Sequence, residues 1–415
     1  MNIAIVGAGI SGISTALELA RDGHQVTVYE QMNAAAEDAS FAPGGWLSPC
    51  AAHSLSVPGL GMPLKLLQSG AGLIQAPAMI GSTTWRWLRQ WKKNEKLVLK
   101  HEDLTLSTAL HALSSYSQSL RWQDHPDTEI AAERKTGALV VLRTAKEAEF
   151  WSQHIPRLEK QGVSCKLLEA TQAQALEPGL GQEIQWTHAV QFPQGESINS
   201  RLWTQYMRLQ AQEMGVTILT GHAVRTIHNT PIGVDVEIAG QLHPYDAVVL
   251  CTGANHSLLQ HLSLPVMPAW GYSVTAPVRD TLLAPRAAIM DWQQQATISR
   301  MGQRVRITAG LEMGSNAHAA HHAPTLQRMY RLLNDWFPGG VQLSSPQVQV
   351  WRGVRGYLPD GLPAVGPTGQ PGIWLNLGHG SHGASLAAGC ARAIADMLAR
   401  RTTAIDMQAF QPQRF

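Results

Sequence analysis

Within its first dozen residues the chain runs Ile3-Ala4-Ile5-Val6-Gly7-Ala8-Gly9-Ile10-Ser11-Gly12, and no other stretch restricts the fold as strongly. The apolar run reads as a buried parallel strand, and the glycines behind it let a strand pass directly into a helix. Gly7 permits a tight turn, Gly9 lets backbone approach a pyrophosphate with Ile10 and Ser11 beside it, and Gly12 allows close packing of helix on strand. Along the helix, Ile13, Leu17 and Ala20 share one face, and Gly23-His24 ends it. Gln25-Val26-Thr27-Val28-Tyr29-Glu30 reads as a second strand, and Glu30, followed by Gln31, stands where a carboxylate accepts from ribose hydroxyls. Strand, turn, helix, strand and acid in this order form a dinucleotide-binding fingerprint.

At 415 residues the chain exceeds one ordinary core, so two domains, or one domain with a large insertion, are expected. Its 32 basic and 30 acidic residues leave a net charge of +2, which is no electrostatic footprint for nucleic acid. Cys50, Cys165, Cys251 and Cys390 lack Cys-x-x-Cys spacing, which argues against a zinc site or disulfide framework and for a reducing cytoplasm. They read as core thiols. No apolar run reaches the length of a membrane span, and the first strand lacks the charged lead of a signal peptide. Trp85, Trp87 and Trp91 crowd one segment with Leu88 and are expected in core or pocket wall.

No internal repeat or low-complexity linker interrupts the chain. A loop of small residues at 39–49, containing Ser40, Ala42, Gly44, Gly45, Trp46 and Leu47, can pass close to a bound dinucleotide. Apolar periodicity predicts helices over 64–81, 82–91, 104–122, 145–161 and 200–214, with strands at 137–143, 165–168, 216–219 and through Gln191-Phe192-Pro193. Residues 246–254 repeat the pattern of a buried strand stopping at glycine, here Thr252-Gly253. A mostly antiparallel region is expected over 266–350, with strands at 272–275, 296–299 and 305–309. The chain closes with a strand at 372–377, a glycine-rich loop at 378–383 and a helix to Arg401.

This last unit repeats the opening logic. Gly378, His379, Gly380, Ser381, His382 and Gly383 place small residues and backbone donors before a helix N-terminus, which favours an electron-rich partner. A strand-glycine-helix unit at each end of one chain suggests a single extended ligand with two polar poles: pyrophosphate at the first, an isoalloxazine carbonyl edge at the second. His379 and His382 lack a third ligand at supporting spacing, so no metal is expected.

Taken together, these motifs resemble those of the D-amino acid oxidase superfamily of flavoproteins, most closely the bacterial D-amino acid dehydrogenase group. The resemblance runs nearly end to end. It includes residues 40–45, Ser48-Pro49, Pro63-Leu64-Lys65, Gly137-Ala138-Leu139 with Arg143-Thr144, and Leu167-Leu168-Glu169 with Glu177-Pro178. It continues through Gly271-Tyr272-Ser273, Gly353-Val354-Arg355, Pro359-Asp360-Gly361-Leu362-Pro363 with Val365-Gly366, and residues 375–380. The fold implied is α/β (α+β overall): a doubly wound FAD domain, residues 1–50, 195–255 and 355–415, interleaved with a substrate domain, 51–194 and 256–354, built on a mostly antiparallel sheet. Ala223-Val224 matches the place where such proteins contact adenine through backbone. Related sarcosine oxidases attach flavin through a cysteine two residues before the position of Arg355; Gly353 stands there, so the resemblance implies noncovalent FAD.

The same resemblance makes Arg355 the carboxylate-binding arginine, a role suited to a guanidinium fork, and Tyr272 a second catalytic candidate through its phenol. Tyr357, His53, Cys50 and His379 are substrate-pocket candidates, and the loop after Pro49 reads Cys-Ala-Ala-His where the dehydrogenase group has Gly-Tyr-Ala-Ala. The implied reaction is oxidative deamination of a D-amino acid or related amino or imino acid, with hydride passing from Cα to flavin N5 and the imine hydrolysing to a 2-oxo acid and ammonia. Electrons would pass to a quinone or other carrier. The alternatives are a glycine- or sarcosine-type oxidase reducing oxygen to peroxide, and a non-catalytic flavin-binding partner. With a quinone as acceptor, peripheral contact at the inner membrane face would run through the apolar stretch 64–80.

Overall fold

The computed structural model describes residues 1–47, 74–75, 82–100, 105–122, 128–255, 257–259, 262, 264–313 and 319–415. Cys50, His53, Ser48-Pro49 and Pro63-Leu64-Lys65 lie outside the described residues. So does nearly all of the helix expected over 64–81; its described part, Ile74–Gln75, is a short strand parallel to Leu311–Glu312.

Two sheets organise the chain. The first runs Ala364–Pro367, Ile373–Leu377, Ala247–Leu250, Asn2–Val6, Gln25–Glu30, Thr217–Thr220, and every neighbouring pair is parallel except the first. The opening strand is apolar on both sides because both faces of this sheet are covered. Ile3 and Ile5 point into a core shared with the helices Ile10–Arg21, Ser200–Glu213 and Gly383–Leu398. Ala4 and Val6 point the other way, onto Val234, Val236 and Ile238. That second cover is not a helix layer but a three-stranded antiparallel sheet, Val224–Thr230, Gly233–Ile238 and Gln241–Tyr245, which the sequence reading passed over. Its alternation Val234, Val236, Ile238 is the period-two signature of a half-buried strand.

The second sheet is mostly antiparallel, in the order Gln349–Tyr357, Met267–Pro277, Arg304–Met313, Ala296–Met301, Ala288–Asp291, Lys135–Leu142, His188–Ser197, Trp46–Leu47. A helix not foreseen in this region, Ala323–Trp336, covers one face with Met329, Leu332, Leu333 and Trp336. The tryptophan-rich segment forms the helix Ser82–Lys100, in which Trp87 and Trp91 are buried as expected, whereas Trp85 is 57% exposed. Cys165, Cys251 and Cys390 are buried free thiols.

Candidate functional site

The parallel register brings the two glycine loops side by side. Asn2–Val6 pairs with Ala247–Leu250, which pairs with Ile373–Leu377, so the turns after all three strands open at one edge of the sheet, the place where open α/β sheets bind ligands. Ser11 Oγ lies 3.5 Å from His379 Nδ1, and Asn376 Nδ2 donates to Thr15 Oγ1 at 2.9 Å, although more than 360 residues separate each pair. One continuous cavity starts here and extends under the antiparallel sheet.

Most of the residues singled out in the sequence line this cavity. Gly7, Gly9, Ile10, Ser11, Glu30, Gln31, Ser40, Gly44, Gly45, Trp46, Val224, Thr252 and Gly253 do so, with all of 378–383 and, further along, Arg355 and Tyr357. Gly12, Ala42 and Leu47 do not. A Cβ on Gly12 would stand 1.8 Å from the Gly7 carbonyl oxygen, so this glycine serves helix-on-strand contact. Ala42 is buried, and Leu47 is buried where its strand pairs with Glu196.

The first pole is rigidly built. Gly7 adopts φ +105°, open to glycine alone at no cost, and a Cβ there would meet the Cys251 carbonyl oxygen at 2.5 Å. Glu30 accepts from the Ala8 N–H at 2.7 Å and the Met32 N–H at 2.8 Å, while Ser40 Oγ accepts from the Ile10 N–H at 3.0 Å. Arg306, donating to Thr275 Oγ1 at 2.8 Å and to the Pro43 carbonyl at 3.2 Å, pins the small-residue loop to the antiparallel sheet.

At the second pole the helix Gly383–Leu398 directs its N-terminus at the cavity with no acid in its first turn. His379 and His382 are buried, and loss of solvent pushes both down to about 4, so near neutral pH they offer hydrogen bonds and no charge. Arg355 is therefore a permanent cation of the lining, and among the described residues that line the cavity there is no other arginine or lysine. It donates to Ser381 Oγ at 3.0 Å, and the Tyr357 hydroxyl shares the same oxygen at 2.7 Å. Among the described residues no acid pairs with Arg355, whereas Arg352, three positions earlier, is held by Glu312 at 3.0 Å.

Tyr272, expected at the site from the resemblance, stands away from the Arg355 guanidinium. Strand alternation puts it on the face opposite Gly271, and it is over Gly271 that the Arg355 guanidinium lies: a Cβ there would meet Nη2 at 2.5 Å. Fully buried in the core beneath Ala323–Trp336, the Tyr272 hydroxyl donates to Glu312 Oε1 at 2.6 Å and accepts from the His322 N–H at 2.9 Å. The phenol beside Arg355 is that of Tyr357.

Several lining residues were not singled out in the sequence: Asp38, His222, Met290, Gln294, Thr297 and Thr308. Burial, with Glu30 nearby, pushes the Asp38 carboxyl up to about 6. Most of these sit in strands or loops whose local pattern speaks only of structure, so no short-range signal marks them. Among the described residues no group of three His, Cys, Asp or Glu could hold a metal, and no helix is long and apolar enough to cross a membrane.

The cavity suits a flavin dinucleotide by its own chemistry. Glycines at the first pole bring bare backbone to the lining, an acid stands at the end of the second strand, and a helix N-terminus closes the far end. Trp46 Nε1, Asn376 Oδ1, His379 Nε2 and His382 Nε2 are buried polar atoms with no partner among the described residues, an expensive state for a protein that has no use for them. Gly353 offers no side chain for a covalent bond, and the Trp351 ring fills the space beside it, where a Cβ would meet the ring at 1.7 Å.

These features agree with comparison to known proteins: the chain belongs to the FAD-dependent oxidoreductase family, whose model matches residues 2–397. It is therefore an FAD enzyme. It is 30% identical over 428 residues to D-amino acid dehydrogenase of Bradyrhizobium diazoefficiens, covering 100% of this chain and 99% of that one. Identity to the Cereibacter sphaeroides protein of the same name is 32% over 430 residues, covering 100% and 95%. Among solved structures, glycine oxidase from Geobacillus kaustophilus superposes with a TM-score of 0.73 at 21% identity, covering 100% and 98%. L-proline dehydrogenase from P. horikoshii does so with a TM-score of 0.72 at 18% identity, covering 100% and 97%.

Proposed function

We propose that this enzyme oxidises the Cα–N bond of a D-amino acid or closely related amino or imino acid, and that electrons leave to a quinone or similar carrier. One observation carries the substrate class: among the described residues, Arg355 lines the cavity with no other arginine or lysine beside it and is bonded only to the neutral Ser381, a guanidinium fork in need of a carboxylate. The names of the D-amino acid dehydrogenases that match it over full length support the same reading. We assign residues 1–50, 195–255 and 355–415 to the FAD-holding part, and 51–194 and 256–354 to the substrate part.

In this reading Gly7, Gly9, Ile10 and Ser11 receive the pyrophosphate, Glu30 the ribose, and residues 378–383 the ring. Bound FAD supplies a two-electron acceptor for the hydrogen that leaves Cα. Arg355 grips the carboxylate in bidentate fashion, and the Tyr357 hydroxyl adds a donor, so that Cα is oriented by two fixed groups. Positioning supplies much of the rate because the free amine itself provides the electrons that expel the hydride. The helix N-terminus at Gly383 holds partial positive charge toward the electron-rich end of the cavity. Above, Trp87, Trp91 and Leu311 pack on Tyr357 and exclude water.

Mixing the enzyme anaerobically with D-amino acids, N-methyl amino acids and D-proline should bleach the flavin absorbance with at least one D-amino acid. Air should then restore the colour far more slowly than a soluble quinone. Failure of every amine to bleach it would sink the proposal, and rapid return in air with peroxide would reassign the acceptor to oxygen. Within the site, Tyr357→Phe is expected to lower kcat/KM by about tenfold, mainly through KM, because a hydrogen bond to a charged group contributes about 1.5 kcal/mol. Tyr272→Phe should leave kinetics unchanged and lower the unfolding midpoint, since Glu312 loses a buried donor. The opposite pattern in steady-state assays would return the role to Tyr272.

A further inference from the structure

The glycine-rich loop at 378–383 carries two histidines whose surroundings differ. His379 Nδ1 lies 3.5 Å from Ser11 Oγ, which turns that ring toward the first pole. His382, only 6% exposed, belongs to the other end, where the charge acting on it is that of Arg355. The strand Gln349–Tyr357 is fastened to the same loop. Arg355 Nη1 and the Tyr357 hydroxyl meet at Ser381 Oγ, and Tyr357 forms a backbone bridge to His379. The Tyr357 ring also occupies the space that a Cβ on Gly380 would need, at 2.8 Å. Within this frame His382 lines the cavity, and its Nε2 is buried with no hydrogen-bond partner among the described residues. A buried polar atom left unmet is costly, so an occupant that engages it is favoured.

We propose that His382 Nε2 accepts a hydrogen bond from the α-amino group of the substrate, and that the site thereby takes the amino acid with its amine uncharged. The inference rests on the reading of Arg355 as the carboxylate anchor. An amino acid carries both polar groups on one carbon, so a carboxylate gripped by Arg355 leaves the amine close to whatever stands beside that arginine. His382 stands there. In water the amine is an ammonium, but the site offers that charge no counter-ion. Among the described residues the lining acids are Glu30, Glu37 and Asp38, on or just after the second strand. Glu30 accepts from backbone N–H groups, Glu37 pairs with Arg201 at 2.6 Å, and Asp38 accepts from the Val354 and Ala39 N–H groups with Glu30 nearby. From the helix Thr105–Arg121, packed on Gly383–Leu398, Arg121 donates to the Ser385 carbonyl at 2.8 Å and pairs with Glu196. Tyr357 and the buried His379 add no charge. Burial and the Arg355 charge hold the His382 imidazole neutral near pH 7, so with its proton on Nδ1 it can accept through Nε2. A second cation beside Arg355 is repelled. The ammonium N–H bond therefore breaks on binding and its proton passes to solvent, leaving the lone pair on which oxidation at Cα depends.

The test is titration calorimetry of the flavin-loaded protein with 2-aminoisobutyrate, which has amine and carboxylate but no Cα hydrogen, and with isobutyrate, which lacks the amine. Repeating it in buffers of different ionisation heat counts protons. The wild type should bind both ligands, releasing about one proton per 2-aminoisobutyrate near pH 7 and none with isobutyrate. His382→Leu should keep its flavin, bind isobutyrate as before and bind 2-aminoisobutyrate about tenfold more weakly, because a buried amine N–H then lacks an acceptor. His382→Gln, whose amide oxygen falls near the place of Nε2, should restore the affinity, whereas His382→Asn, which reaches only the place of Nδ1, should not. That pair decides the matter if the leucine variant does not fold. Equal weakening of both ligands, no weakening of either, or binding of 2-aminoisobutyrate without proton release would overturn the proposal and leave Arg355 in place. Loss of flavin from folded His382→Leu would give Nε2 to the cofactor and overturn it as well. A wild type that binds neither ligand would remove the carboxylate role from Arg355, and this inference with it.

Discussion

Arg355→Met is expected to lower kcat/KM for carboxylate-bearing substrates by on the order of a hundred- to a thousandfold while the protein keeps its flavin. The magnitude follows from losing one partner of a desolvated, hydrogen-bonded charge pair, about 3–4 kcal/mol in the transition state. Fold and flavin should survive because Arg355 has no acidic partner among the described residues to be left behind, and its bond to Ser381 is neutral. Lysine at this position should rescue little, since an ammonium cannot reproduce the fork. Steady-state kinetics with the flavin spectrum recorded on the same sample check this. Unchanged kcat/KM in a flavin-replete variant would remove Arg355 from the site.

The second large effect concerns the cofactor itself. Gly12→Val should yield protein that carries little or no FAD and unfolds at a markedly lower temperature. The Cβ would lie 1.8 Å from the Gly7 carbonyl oxygen and 3.0 Å from its carbon, both backbone atoms of the turn that lines the cavity. Neither can move without shifting the first helix off the sheet, so the cost exceeds the roughly 1–3 kcal/mol of ordinary overpacking. Gly23→Ala is a suitable control. Gly23 has φ +78° with nothing within 4 Å of a built Cβ, so only backbone strain of about 1 kcal/mol is expected, with full flavin content. Flavin-to-protein absorbance ratios and thermal midpoints separate the two; a flavin-replete Gly12→Val would refute the steric argument.

Elements of regular period were legible from the sequence. The expected helices at 104–122, 145–161 and 200–214 appear as Thr105–Arg121, Ala145–Lys160 and Ser200–Glu213, because each buries an apolar stripe that recurs at helical spacing. The helix Ala323–Trp336 was hidden inside a region read as strands. The sheet Val224–Tyr245 escaped notice because its outward positions are polar and its strands short. Trp85 shows the limit of composition: three tryptophans in one segment look equally apolar, yet helical phase sends Trp87 and Trp91 inward and Trp85 to solvent.

The flavin-dinucleotide reading was legible in the sequence by itself, because glycine spacing and a strand-ending acid are local patterns with local physical causes, whereas the role proposed for Arg355 came from the resemblance to a known family. Only the tertiary structure decided which phenol stands beside that arginine. Tyr272 and Tyr357 both lie on strands next to motif residues. The choice between them depends on which face of the sheet each side chain takes and on the register of Met267–Pro277 against Gln349–Tyr357. It likewise joined Ser11 to His379 and brought Asp38, Gln294 and Thr308 to one cavity. Such contacts arise from strand pairing across hundreds of residues, which no local pattern encodes.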